Sequence, residues 1–278
     1  KVIGSTVFPH EVGLGATRDA ALVERIGRAV GRECRGAGIH LAFAPTLAVA
    51  RDERWGRTYE SFGETPELAA ELGAAYIKGL QGGGDLSDPG AVAATAKHYF
   101  GDGATTNGTN AGVVEVSEAT LRALHLVPYQ AAIQQNVAVV MPSYHQWLRD
   151  GQLHPMSTDA YSLTSLLKTE LGFRGFCLSD YDAVARAQGT AADGSTLPYM
   201  QEGVSASVEA GMDMAMVAMQ GGVGDWTRFL RSGAIAEARL DDAVRRILRV
   251  KVLMGLFEDD HAKAYSNATL RGQIWSQE

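Results

Sequence analysis

The chain has 278 residues, 46% hydrophobic and 21% charged, values of an ordinary globular protein that exclude disorder, a collagen or coiled-coil rod and a membrane bundle. Its 25 basic and 32 acidic residues leave a net charge of −7, which argues against a nucleic-acid partner. No apolar run reaches the about 18 residues that would predict a membrane span. Two cysteines, Cys34 and Cys177, are too few for a disulfide scaffold or a Cys-rich zinc site and are expected to be buried free thiols.

In chain order, Asp19 is placed to cap a helix whose apolar face runs Leu22, Val23, Ile26, Ala29 and Val30, at three-to-four spacing. A run of strand length follows, from Ile39 to Ala44. Thr65-Pro66 is a cap followed by a proline in the first turn, and predicts a helix with Leu68, Leu72, Tyr76 and Leu80 on one face, ended by Gly82-Gly83-Gly84. Val92 to Lys97 reads as a strand, Ser117 to Gln135 as a helix and Val137 to Met141 as a strand. A helix over Leu163 to Leu171 precedes a strand over Phe173 to Ser179. Gln201 to Ala210 reads as a helix and Met212 to Val217 as a strand. Helices over Asp225 to Ser232 and Leu240 to Met254 follow, the last stopped by Gly255. About five short apolar strands alternating with helices predict one α/β domain with a parallel sheet covered on both faces, either an open sheet or a barrel. The GxGxxG fingerprint and the GxxxxGK[ST] loop are both missing, so a nucleotide cofactor is not expected.

Polar residues gather where these strands end, the place at which parallel α/β folds bind ligands. Arg51-Asp52-Glu53-Arg54-Trp55-Gly56-Arg57 continues through Thr58-Tyr59-Glu60. Arginine forks there suit hydroxyls or carboxylates, and aromatic faces suit sugar rings, unless the run is simply a salt-bridged surface loop. Lys97-His98-Tyr99 closes a strand of Val and Ala. On a regular strand Lys97 and His98 point to opposite faces, and Lys97 is open to a Schiff-base role, a polyol contact or a buried ion pair. Gly175 to Tyr181 delivers Asp180 to a strand end, the setting a glycosidase nucleophile needs but also a common helix cap. Met141-Pro142-Ser143-Tyr144-His145-Gln146-Trp147 is a further strand end rich in stacking and donating groups. His10, His40, His125 and His154 are scattered and expected in packing or surface roles. No HxH, HExxH or clustered carboxylate spacing points to a metal, and the glycine- and asparagine-rich stretch Gly101 to Asn110 is expected as a loop over the site.

Together these segments resemble glycoside hydrolase family 3, especially its β-glucosidases and exo-1,3/1,4-β-glucan glucohydrolases. Phe8-Pro9-His10 and Gly13-Leu14-Gly15-Ala16-Thr17 are similar to the family's FPxxxGLGAT segment. Phe43-Ala44-Pro45, Arg51-Asp52 and Arg54-Trp55-Gly56-Arg57 are similar to its FAPxxxxxRDxRWGR stretch. Lys97-His98-Tyr99 stands for KHF or KHY, Gly175 to Tyr181 for GFxxSDW, and Arg245 to Lys251 for its RILRxK helix. The resemblance implies a TIM-barrel-like (β/α)8 catalytic domain over 1–278, with the first barrel strands and a second α/β sandwich domain outside this sequence. It implies retaining release of glucose from the non-reducing ends of β-glucosides or β-glucans, without a cofactor, with Asp180 as the nucleophile. Arg57, Lys97, His98 and Tyr144 would hold the sugar, Tyr181 would line the next subsite in place of the more usual Trp, and Arg186 would support that wall. The acid/base is expected from the second domain. One branch of the family instead carries it in a GHGDT-like loop, and here that loop reads Gly101-Asp102-Gly103-Ala104-Thr105, without the histidine. A periplasmic or secreted location is implied by the resemblance, and a β-glucan oligosaccharide with its glucose product are the expected partners. Two rival readings are an inactive, truncated carbohydrate-binding homologue and an aldolase-like barrel that forms a Schiff base at Lys97.

Overall fold

The computed structural model describes residues 4–186, 201–216, 231 and 233–258. Helices α1 (Glu11–Thr17) and α2 (Ala20–Gly36) lead into β1 (Leu41–Ala42), followed by α3 (Pro66–Leu80), β2 (Ala93–Tyr99) and β3 (Val113–Val114). A helical segment then runs through α4 (Glu118–Thr120), a wide turn with i→i+5 bonds (Leu121–His125) and α5 (Val127–Gln134). Strands β4 (Val139–Pro142), β5 (Gln146–Arg149) and β6 (Gln152–Pro155) precede a second such helix over Tyr161–Glu170. The described chain continues with β7 (Phe176–Cys177), α6 (Ala183–Arg186), α7 (Gln201–Ala210) and α8 (Glu237–Leu253). The expected helix over Asp225 to Ser232, apart from Arg231, and Val217 at the end of the last expected strand lie outside the described residues.

Four strands pair in parallel in the order β1-β2-β4-β7, and a parallel bridge from Leu178 to Met214 extends the sheet to the expected fifth strand position. The alternation of strands and helices predicted such a parallel sheet, and its order agrees with the TIM-barrel-like fold that the resemblance implies. Two of the strands are much shorter than their apolar runs. Ile39 to Ala44 reduces to a two-residue ladder, and Phe173 to Ser179 to another. The chain nevertheless stays attached beyond them. Lys97 N donates to Pro45 O at 3.2 Å, and Ser179 N donates to Met214 O at 2.9 Å.

Local signals explain the helices. The Asp19 carboxylate accepts from Leu22 N at 2.9 Å, satisfying a free N–H in the first turn of α2. Thr65 occupies the cap position of α3 without a side-chain hydrogen bond, so Pro66 in the first turn carries that start. Leu72, Ile77 and Leu80 of α3 are fully buried against the sheet. Helices α2 and α3 cross closely at Gly27 and Gly79. A Cβ on Gly79 would sit 2.1 Å from Glu24 O, so only a residue without a side chain permits the approach. Gln81 ties the lower ends of two strands together. Its Oε1 accepts from Ala94 N and Ala138 N, and its Nε2 donates to Gln135 O and Asn136 O. Cys177 is buried on β7 and Cys34 half-buried on α2, both as free thiols.

A three-stranded flap, β3-β5-β6, stands apart from the parallel sheet. The sequence reading assigns no strands to it, although its signal is present. Asp150-Gly151, both at positive φ, form the two-residue turn between β5 and β6. Arg149 lies over the rings of Trp147 and Tyr161, at 4.8 and 4.6 Å from their centroids, and pins the flap to the helix over Tyr161–Glu170.

Candidate functional site

The carboxyl ends of the parallel strands bring Arg57, Lys97, His98, Tyr144, Asp180 and Tyr181 to one region. Asp180 follows β7, its side chain 14% exposed, and its Oδ2 lies 3.7 Å from Nε2 of His98. Its Oδ1 accepts from the backbone N–H of Tyr181 at 2.7 Å, which fixes the carboxylate at the strand end. The expectation that Asp180 sits at a strand end, with an aromatic beside it, therefore describes the geometry.

Lys97 and His98 depart from the alternation expected of a regular strand. The β2–β4 register jumps from Lys97↔Met141 to Tyr99↔Pro142, an irregularity at His98 that cancels the rule of opposite faces. The peptide between Lys97 and His98 is cis. Both side chains lie in the same cluster of charges. Burial pulls the Lys97 ammonium below its ordinary value and Arg57 adds to this, while Glu60, Glu11 and Asp180 oppose it.

Arg57 enters from the loop after β1. It donates from Nε and Nη2 to the two oxygens of Glu60 at 2.9 and 2.7 Å, and its Nη2 is 3.3 Å from His98 Nε2. Burial alone would raise the Glu60 carboxyl, but the Arg57 fork outweighs it and holds the group below its usual value. Glu60 Oε2 also accepts from Thr46 Oγ1 at 3.4 Å, and Glu11 Oε1 accepts from Thr46 N at 3.4 Å. Burial pushes the Glu11 carboxyl up.

The remainder of the arginine-rich run behaves differently from the expectation. Trp55 is buried, not a stacking platform, and Arg54 turns outward to a paired Asp52. Only Arg57 and Glu60 of that run reach the site. Tyr144 donates from its hydroxyl to Tyr181 O at 2.5 Å, and Tyr181 is 49% exposed, so both aromatics sit at the open rim. Arg186 closes α6, and its side chain lies outside the described residues.

Two acids lie at the site beyond those expected, Glu60 and Asp102. Asp102 does not ride in a loop above the cleft; it is 2% exposed, beneath His98. Its Oδ2 lies 3.0 Å from His98 Nδ1, and its Oδ1 accepts from Ser143 Oγ at 2.9 Å. Burial alone would raise the Asp102 carboxyl, but His98, the nearby His145 and the Ser143 hydroxyl together keep it below the ordinary carboxylate value. The four-residue spacing from His98 was visible in the sequence, but nothing in that spacing says that the intervening turn folds back under the imidazole. No group of three or more His, Cys, Asp or Glu side chains able to hold a metal ion occurs among the described residues.

A barrel-like parallel α/β domain with carboxylate, guanidinium, ammonium and imidazole groups gathered at its strand ends has the design of a barrel enzyme. The chain belongs to glycosyl hydrolase family 3, whose N-terminal domain model matches residues 1–250. It is similar to the periplasmic β-glucosidase of Salmonella typhimurium, with 32% identity over 263 residues, 92% of this chain and 32% of that protein. A β-xylosidase of Formosa agariphila is 34% identical over 272 residues, 91% of this chain and 35% of that protein. Among solved structures, the β-glucosidase of Listeria innocua in complex with glucose superposes with a TM-score of 0.85 at 32% identity, covering 98% of this chain and 36% of that one. The exo-1,3/1,4-β-glucanase of a Pseudoalteromonas species gives a TM-score of 0.80 at 35% identity, with 98% and 34% covered. The chain thus spans about a third of the length of these relatives.

Proposed function

We propose that this chain is the catalytic barrel domain of a retaining glycosidase that releases glucose from the non-reducing ends of β-glucosides or β-glucans. The observation that carries this reading is Asp180 at the end of β7, 3.7 Å from His98 and close to Arg57 and Lys97. In this reading the Asp180 carboxylate attacks the anomeric carbon, forming a glycosyl ester as the C1–O bond to the leaving group breaks. The leaving oxygen takes a proton from an acid that we assign to a second domain. Water then attacks C1, regenerates the carboxylate and frees the sugar with retained configuration. Arg57, Lys97 and His98 hold its hydroxyls, Tyr144 flanks it, and Tyr181 and Arg186 line the neighbouring subsite.

The family membership supports the reaction class, and the glucose-bound relative supports glucose as the ligand. The periplasmic β-glucosidase of Salmonella supports a periplasmic or secreted location. The glycosidase names of these relatives leave the Schiff-base role of Lys97 without support.

The test is trapping with 2,4-dinitrophenyl 2-deoxy-2-fluoro-β-glucoside. Its leaving group departs without protonation, so the experiment does not depend on the acid. The expected result is a protein mass increase of one fluoroglucosyl group, with peptide mapping placing it on Asp180, and no labelling of Asp180→Ala. A wild-type protein that stays unlabelled, or carries the label elsewhere, overturns the assignment.

A further inference from the structure

We propose that Asp102, anchored by Ser143, is a positioning residue that fixes the tautomer of His98, so that Nδ1 carries the proton and Nε2 presents its lone pair, as an acceptor, on the cleft side. The argument starts from the donor and acceptor inventory. An ionised carboxylate only accepts, and a guanidinium only donates. Asp102 is buried, and its Oδ1 already accepts from Ser143 Oγ at 2.9 Å. Its Oδ2 and His98 Nδ1 lie 3.0 Å apart, off the ideal hydrogen-bond line, and neither of these buried atoms has a hydrogen-bond partner among the described residues. The proton between them therefore belongs to Nδ1, because Asp102 has none to give. The ionised state of Asp102 is consistent with the way its surroundings hold its carboxyl below the ordinary value.

The opposite edge of the ring leads to the same tautomer. Arg57 Nη2 is 3.3 Å from Nε2 and can only donate, so Nε2 accepts. Asp180 Oδ2, at 3.7 Å from Nε2, lies beyond hydrogen-bond reach and competes for no proton. The imidazole thus bridges a buried negative charge and a cleft-side positive one, with its lone pair turned toward the site. This matches the arrangement by which a carboxylate sets the tautomer of a histidine in other sites.

A consequence follows for the ligand, and it rests on the sugar-site reading above. A hydroxyl offers one hydrogen and two lone pairs. One that takes the place of Arg57 as donor to His98 Nε2, while its oxygen accepts from the released guanidinium or from Lys97, is recognised in both senses. The site then requires a free hydroxyl at that position, and a sugar methylated there lacks the hydrogen.

The tautomer is read directly by NMR of protein labelled with 15N-histidine above pH 7, with His98 assigned by comparison with His98→Gln. The expected wild-type spectrum has a protonated, pyrrole-type Nδ1 and an unprotonated, pyridine-type Nε2. In Asp102→Asn the pattern shifts toward the Nε2-protonated form, and glucose affinity falls about tenfold. Protonation at Nε2 in the wild type, or an unchanged pattern in Asp102→Asn, overturns the proposal. Should Asp102→Asn fail to fold, Ser143→Ala keeps the carboxylate but frees it to move. It is expected to shift the Nδ1 signal and weaken glucose binding, and no change in either measurement overturns the proposal. The spectrum does not depend on sugar chemistry. An Nδ1-protonated His98 in a protein that binds no glucose upholds the tautomer and overturns the sugar reading alone.

Discussion

Arg57 is held at its near end by two hydrogen bonds to Glu60, yet its side chain remains a quarter exposed, at 25%. Such a group adds little to stability, because an ion pair with access to water is screened and desolvated only in part. Its value lies in presenting a fixed fork to a ligand. Arg57→Ala is therefore expected to weaken glucose binding about tenfold while moving the thermal midpoint by no more than a few degrees, measured by calorimetric titration and thermal melting. A variant that binds glucose like the wild type would remove Arg57 from the site. Asp180→Ala should differ in kind, with turnover in the protein that contains the acid falling by about 10³-fold or more while glucose binding persists in part. Steady-state kinetics beside equilibrium binding separates the two effects.

Single side chains also decide how elements meet. Gln81, at the end of α3, makes four hydrogen bonds with β2 and the segment leading into β4, those to Ala94 N and Ala138 N fully buried. Gln81→Leu keeps the volume but strands the N–H groups of Ala94 and Ala138. The expected cost is about 1–3 kcal/mol per buried donor left unmet, visible as a lower urea midpoint at unchanged slope. An unchanged midpoint would mean that water replaces the amide. Strand β2 illustrates the same dependence in the site. Its apolar run was legible, but the register irregularity at His98 depends on pairing with β4, a partner more than 40 residues away in the chain by sequence number. Alternation by itself separates Lys97 from His98; the pairing brings them together.

Across the whole molecule, buried imidazoles couple folding to pH. His125 and His145 are both buried, and burial, the largest cause, pushes each down to about 4. Their folded values lie below the ordinary histidine value of about 6.5, so the unfolded chain binds protons first as pH falls. Stability from these groups is complete above about pH 6.5 and declines as pH falls toward 4. The carboxylates held low, Asp102 and Glu60 among them, act in the same direction at lower pH. Urea midpoints measured from pH 8 to 5 should be level at first and then fall below about 6.5. His125→Gln should make that fall shallower by close to one proton's worth of slope. A slope unchanged by the substitution would show that His125 binds its proton equally in the folded and unfolded protein.

Much of the molecule could be read before its structure. Period and punctuation placed Asp19 at the start of α2, Gln201 to Ala210 as α7 and Gly255 at the end of α8, because caps, prolines and apolar stripes act within a turn or two of themselves. Strand-end polar clusters pointed to the candidate site, and the ordered motifs identified the family, since both are written in consecutive residues. The exposure of Trp55, the place of Asp102 and the shared orientation of Lys97 and His98 were not legible, for each depends on what another segment packs against it. The Asp-Gly turn of the flap was legible but unused. By itself the sequence determined the class of fold, the alternation of its elements and the chemical types gathered at the strand ends. Only the tertiary structure decided which of those groups meet, because hydrogen bonds and burial act through distances that the order of residues does not contain.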